Sequence, residues 1–319
     1  MTDCEYISMV KSTIVRSQRP SWLLPIIRAG NRALSALAPR LAASRAERMF
    51  LTPPRARRPA GERALIASAQ ARTVPIGDGS HVETWTWGSG PRVLLVHGWG
   101  GRGAQLGAFV EPLVARGFSV LAFDAPGHGA SEAGLVTIPQ MVAAVGAVAA
   151  HHGPLGGLIA HSVGSVVAAR AMFEGLETRR AVFIGPAADL VNPAVRFTDM
   201  LGFSRRVGQL MHERIARRIA MPWSAFSVPE LAPALKAPLL VIHDRDDGEV
   251  PWQHGRVITH DWPGAQLLTT DGLGHRRILR DANVASAAAA FISAAVEEGR
   301  APGLPAGRER RAPLPAAAV

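Results

Sequence analysis

The chain has 319 residues, 48% of them hydrophobic, and a formal net charge of +10. That length and apolar content support one large α/β domain with a real core, plus extensions. Cys4 is the only cysteine, which excludes an intrachain disulfide framework and a Cys/His zinc module.

The charge is concentrated at one end. Residues 1–72 hold thirteen Lys/Arg against Asp3, Glu5, Glu47 and Glu62, a net +9. Lysine occurs only at Lys11 and Lys236, so the excess is arginine. No aromatic-basic stripe accompanies it, and nucleic acid is not an expected partner.

Residues 1–20 lack the basic, apolar, small-residue order of a signal peptide, and the expected compartment is the cytoplasm. From Trp22 to Leu41 the pattern is helical. Leu23, Ile26, Ile27, Ala33, Leu34 and Leu37 fall near one face, interrupted by Arg28, Arg32 and Arg40. Arg28 and Arg32 break every run long enough to span a bilayer. The segment suits a helix packed on the body, an oligomer interface, or peripheral contact with an anionic membrane through residues 21–41. Thr52 to Pro59, rich in Pro and Arg, reads as a linker or extended arm. Residues 1–60 are thus expected to form a basic amphipathic extension.

After a short helical patch, Glu62 to Arg72, strands take over. Arg72–Ile76 and His81–Trp87 read as an antiparallel hairpin about Gly77–Asp78–Gly79. Arg92–Val96 is a buried strand, followed by the glycine-rich loop His97–Gly98–Trp99–Gly100–Gly101–Arg102–Gly103. Helix Leu106–Arg116 and strand Ser119–Phe123 lead to Asp124–Ala125–Pro126–Gly127–His128–Gly129–Ala130–Ser131. Helix Pro139–His151 precedes an apolar strand, Leu155–Ala160. Then comes Ser162 between small residues, and an apolar helix carrying Val166, Val167, Ala168, Ala169 and Met172.

Strand, abrupt turn and helix are the context of a nucleophile elbow. Strand and helix nearly touch there, so the positions two before and two after the serine must be small. Ala160 and Gly164 occupy them.

Beyond strand Ala181–Ile184, residues Gly185–Leu235 break the α/β rhythm. Met200, Phe203, Val207, Leu210, Met211, Ile215, Met221, Trp223 and Phe226 lie among arginines. They predict two or three amphipathic helices forming a lid over approximately 186–235. Strand Pro238–Ile242, helix Trp252–Asp261, strand Gln266–Thr270 and a long helix, Arg276–Val296, complete the pattern. Residues 298–319, rich in Pro, Arg and Ala, are expected to be a disordered tail.

Five of these segments together resemble the α/β-hydrolase superfamily. The elbow is Ala160–His161–Ser162–Val163–Gly164, where the family usually has G-x-S-x-G. His97–Gly98–Trp99–Gly100 resembles its H-G-x-G loop, and Asp124–Ser131 its D-x-P-G-x-G-x-S turn. Asp247, three residues before Val250–Pro251, stands where the family places its acid, and Gly272–Leu273–Gly274–His275 matches its G-x-G-H turn.

The resemblance implies an α/β-hydrolase fold over about residues 61–297, with a mostly parallel central sheet of about eight strands, helices on both faces and a lid after strand six. It implies a Ser162–His275–Asp247 triad and an oxyanion hole from the Trp99 and Val163 N–H groups. Gly98, Gly100 and His161 become substrate-binding candidates. The implied activity is a serine esterase or thioesterase on an apolar acyl substrate, needing no metal or organic cofactor.

Other readings stay open. Asp246 or Asp189 could be the acid, and Asp246 and Asp247 could merely cap the next helix. His243, Asp244, Asp246 and Asp247 could hold a metal, although such clusters usually make turns and caps. Gly98, Gly100 and Gly103, followed by Asp124 after the next strand, also fit a dinucleotide fingerprint. A binding protein of hydrolase shape without hydrolysis is a further alternative.

Overall fold

The computed structural model describes residues 23–77 and 79–300. Expectations for residues 1–22, for Asp78 in the hairpin turn and for the tail from 301 to 319 fall outside these.

The expected N-terminal helix is two helices, α1 (Leu23–Leu37) and α2 (Pro39–Phe50). The break is Pro39, which lacks an N–H and disfavours helical backbone at the residue before it. Ala38 accordingly sits at φ −145°, ψ 70°. Helix α3 (Ala60–Ala67) stops earlier than expected, and the hairpin strands are β1 (Gln70–Pro75) and β2 (His81–Trp87). Next come β3 (Arg92–Val96), a 3-10 segment (Gly103–Phe109), α4 (Val110–Val114) and β4 (Ser119–Phe123). A single α-helix was expected between β3 and β4, and its first half is 3-10 instead. Helix α5 (Ile138–His152) opens with a Thr137–Gln140 capping box beside Pro139. After β5 (Leu155–His161), α6 (Val163–Phe173) and β6 (Ala181–Ile184), residues 186–235 form an all-helical insert. It comprises α7 (Val191–Met200), α8 (Arg205–Ile219), α9 (Val228–Leu231) and short 3-10 turns. The chain then runs through β7 (Leu239–Asp244), α10 (Gln253–Asp261), β8 (Gln266–Thr270), α11 (Gly274–Arg277) and α12 (Ala282–Arg300). Residues 298–300, where the tail was expected to begin, are still helical.

The eight strands form one sheet in the order β1-β2-β4-β3-β5-β6-β7-β8. β1 and β2 pair antiparallel with each other, and β2 with β4; all other pairs are parallel. The central strands are buried on both faces, which is why they read as unbroken apolar runs. Their alternation builds two cores. Leu94, Val96, Leu121, Phe123, Leu158, Ala160, Phe183 and Val241 face α5, α6, α10 and the insert. Val93, Leu95, Val120, Ala122, Ile159, Val182, Ile184 and Ile242 face α4 and α12.

The arm joins the first core. Ala42, Ala43 and Ala46 are fully buried in the same cluster as Val207, Met211 and Ile215 of α8. Their small side chains let α2 lie close along α8. Glu47, also buried, accepts hydrogen bonds from Arg214 Nε and Arg218 Nε, both at 2.7 Å. Asn31 Nδ2 donates to the Leu201 carbonyl (2.9 Å), and Arg28 donates to that of Met200 (2.9 Å).

Candidate active site

The elbow's backbone is strained. Ser162 has φ 55° and ψ −126°, and it is one of two non-glycine residues with positive φ among the described residues. An L-residue is held there only when its surroundings over-determine it. Here β5 delivers the chain, α6 begins at Val163, and the Ser162 N–H is bonded to the Ile184 carbonyl at 3.0 Å. Gly164 is obligatory: a methyl there would stand 2.6 Å from the carbonyl oxygens of both Val96 and His97.

Ser162 Oγ lies 3.0 Å from His275 Nε2, and His275 Nδ1 lies 2.7 Å from Asp247 Oδ2. All three residues are buried. The carboxylate accepts the Nδ1 proton, which leaves the Nε2 lone pair facing the serine hydroxyl. Asp247 Oδ1 accepts from the Glu249 and Val250 N–H groups at 2.9 and 2.8 Å. His243 Nε2, bonded to the Val250 carbonyl, stands 3.3 Å from Asp247 Oδ2. Burial pushes this carboxyl up. The hydrogen bonds from His243 and His275, the His275 charge and the Val250 N–H outweigh it and hold the pKa well below the usual range.

The alternative acids are occupied elsewhere. Asp246 Oδ2 accepts from the Gly272 N–H (2.9 Å), and Asp189 Oδ1 from the Val191 N–H (2.9 Å). Asp244 accepts from the Asp246, Leu273 and Gly274 N–H groups and from the Thr270 hydroxyl. The acidic cluster thus ties the β7 loop to the loop that presents His275.

Val163, next to the serine, and Trp99, next to Gly98, are both half-buried. Val163 is the first residue of α6, so its N–H has no carbonyl to meet within the helix. A Cβ on Gly98 would lie 2.9 Å from Ser162 Cβ, so glycine keeps the His97–Gly103 loop against Ser162. Gly100, expected near the substrate, turns toward the arm, where a methyl would meet Pro54 at 2.8 Å. His161, also expected near the substrate, sends Nε2 to the His275 carbonyl (3.0 Å), with the two rings 4.6 Å apart. Burial first, then the neighbouring His275, holds its pKa well down, so it donates Nε2–H as a neutral ring.

Two buried histidines brace the loops. His97 Nδ1 meets the Gly98 carbonyl (2.8 Å), and its Nε2 accepts from the Ala125 N–H (2.9 Å). Burial lowers its pKa to about 4, against a weaker pull upward from the Gly98 carbonyl. Burial, then His97 itself, lowers His128 to about 3. Asp124, the would-be ribose acid of a dinucleotide site, is fully buried. It accepts from the Gly103 and Ala130 N–H groups (2.8 and 2.6 Å) and pairs with Arg58. Its carboxylate thus organises the loops around it.

Several contributors carry no local signal in the sequence. Phe50, at the end of α2, stacks on Trp99 (ring centres 6.5 Å apart) and meets Phe197 of α7 edge-on (5.2 Å). Arg58 and Pro54 reach the loops from the arm. Each contact joins residues far apart in the chain, which no spacing rule encodes.

The strand order and the sharp turn at Ser162 belong together in one known architecture. Residues 90–224 match the hydrolase family model described as serine aminopeptidase, S33. The chain has the α/β-hydrolase fold. Among solved structures it resembles an esterase of Pyrococcus furiosus, at 19% identity over 77% of this chain and 98% of that one, with a TM-score of 0.58. It also resembles a structure described as a putative lipase of Acinetobacter baumannii AYE, at 17% identity, 75% and 95% coverage and a TM-score of 0.58. A curated relative, pimeloyl-[acyl-carrier protein] methyl ester esterase of Chromobacterium violaceum, is 40% identical over 85 residues. That match spans 26% of this chain and about a third (32%) of the relative's length.

Proposed function

We propose that this α/β-hydrolase cleaves an ester, thioester or related acyl bond through an acyl-enzyme on Ser162. The observation that carries this is the unbroken chain of contacts from Ser162 Oγ through the His275 ring to Asp247, at 3.0 and 2.7 Å. Named esterases and lipases among its structural relatives support the reaction class. His275 Nε2 takes the hydroxyl proton as Oγ bonds to the substrate carbonyl carbon. Asp247 stabilises the imidazolium that forms. The Trp99 and Val163 N–H groups receive the oxyanion, each donor typically worth about 3–4 kcal/mol. The tetrahedral species collapses, the C–O or C–S bond breaks, and the leaving group takes the proton from His275. Water, activated by the same ring, then releases the acid and restores Ser162.

Apolar side chains support an apolar acyl group. Phe50, Trp99 and Phe197 form an aromatic wall at the seam of arm, loop and insert. The insert would serve as the lid. A fluorophosphonate probe is expected to label the wild type and not Ser162→Ala; labelling that survives the substitution overturns the assignment. A chain-length panel of p-nitrophenyl esters and acyl-CoAs then separates esterase from thioesterase. Complete absence of turnover and of labelling would favour the non-catalytic binding protein.

A further inference from the structure

Helix α1 is built the wrong way round for a helix that only packs inward. Its buried residues are Asn31 and Ser35, both polar. Leu24, Ile27 and Leu34 pack beside them against the core. The opposite face carries Ile26, Ala29, Gly30, Ala33, Ala36 and Leu37, all exposed. These positions recur at three- and four-residue spacing and form one row. Ile26 is 58% exposed and Leu37 87%, and Leu41, past the break at Pro39, is 62% exposed. Three large aliphatic side chains in water along one edge need a covering surface.

The surrounding charge selects the cover. Residues 23–59 contain eight arginines and one acidic residue, Glu47. Glu47 is buried and bonded to Arg214 and Arg218, so it offsets nothing outside. Arg32, Arg40, Arg45 and Arg48 are all exposed. Arg28 and Arg32 also line a surface groove of about 350 Å³, together with Ser35, Ser204 and Asp199. A second copy of the chain, docking through the same row, would set these arginines against themselves. An anionic lipid surface satisfies both features at once, taking the apolar row below the headgroups and the guanidinium groups at their level. No helix among the described residues is long and apolar enough to cross a membrane, so contact lies in the interface plane.

We propose that the outer face of α1, with Leu41, docks this protein on an anionic membrane surface. The docked arm leads through α2 to Phe50 and the aromatic wall, which sets the acyl site beside the bilayer. Binding is measured without turnover, so it stands or falls apart from the hydrolase assignment.

The test is co-sedimentation of the full chain with phosphatidylcholine vesicles, with and without phosphatidylglycerol, at low and high salt. The wild type is expected to pellet with the anionic vesicles, less so as salt rises, and to leave neutral vesicles in the supernatant. I26E/L37E and R32E/R40E should each lower partitioning about tenfold or more. Circular dichroism and fluorophosphonate labelling should stay at the wild-type level in both. The proposal is overturned if the wild type fails to bind anionic vesicles, or binds neutral ones equally. It is overturned too if both variants bind like wild type. A vesicle-indifferent dimer in sedimentation velocity that I26E/L37E dissociates would assign the face to a second copy instead.

Discussion

Lowering the pH should loosen the two loops that flank Ser162, and His97 contributes a separable share of the effect beside those of His128 and His161. The folded pKa of His97 is about 4, mainly from burial, whereas an unfolded histidine titrates near 6.5. The unfolded chain therefore binds the extra proton first, and stability falls as pH drops through this window. The sign is fixed: stability from the neutral ring is fully present above about pH 6.5, and its loss is complete below about pH 4. Between about pH 7 and about pH 5 the cost is about 2 kcal/mol, which in a domain of this size lowers Tm by about 4–8 °C. His97→Gln is the control, because a glutamine oxygen can still accept from the Ala125 N–H and cannot titrate. Denaturant midpoints at the two pH values should converge in the variant relative to wild type. An unchanged pH slope in His97→Gln would refute the assignment of this acid sensitivity to His97.

The acids can be separated directly. Asp247→Asn should lower kcat by about 10³–10⁴-fold through loss of the His275 tautomer. Asp246→Asn, which touches only a loop N–H, should stay within about threefold and cost about 1 kcal/mol of stability; collapse of Asp246→Asn alone would reverse the assignment. Gly164→Ala places a methyl against two carbonyl oxygens. It should cost about 1–3 kcal/mol and slow probe labelling about 10²-fold by displacing the Trp99 loop; wild-type labelling would show that the elbow tolerates the bulk. Glu47→Gln should loosen the arm from the insert at a cost of about 1–2 kcal/mol. The cost stays modest because Arg214 and Arg218 are partly solvated. An unchanged denaturation midpoint would place that ion triad among the inert ones.

The sequence by itself determined what period and local chemistry control. The central strands stood out because strands buried on both faces must be apolar at every position, as in Leu158–Ile159–Ala160. Ser162 stood out because the elbow demands small neighbours, and His275 because Gly272–Leu273–Gly274–His275 resembles the family's G-x-G-H turn. Among Asp189, Asp246 and Asp247 the family resemblance favoured Asp247, but the contact itself is tertiary. Chain position put all three near the strand ends, and only the fold shows which carboxylate meets His275 Nδ1 at 2.7 Å. The extra helix break at Ala38 was legible in Pro39. The orientation of α1 was not, because amphipathic period gives a stripe and not what the stripe faces. Nor could local pattern reveal that His161 braces the His275 carbonyl, that Gly100 meets Pro54, or that Phe50 joins Trp99 to Phe197. Those contacts join residues tens to more than a hundred positions apart. Their energies depend on where whole helices come to rest, which no window along the chain can contain.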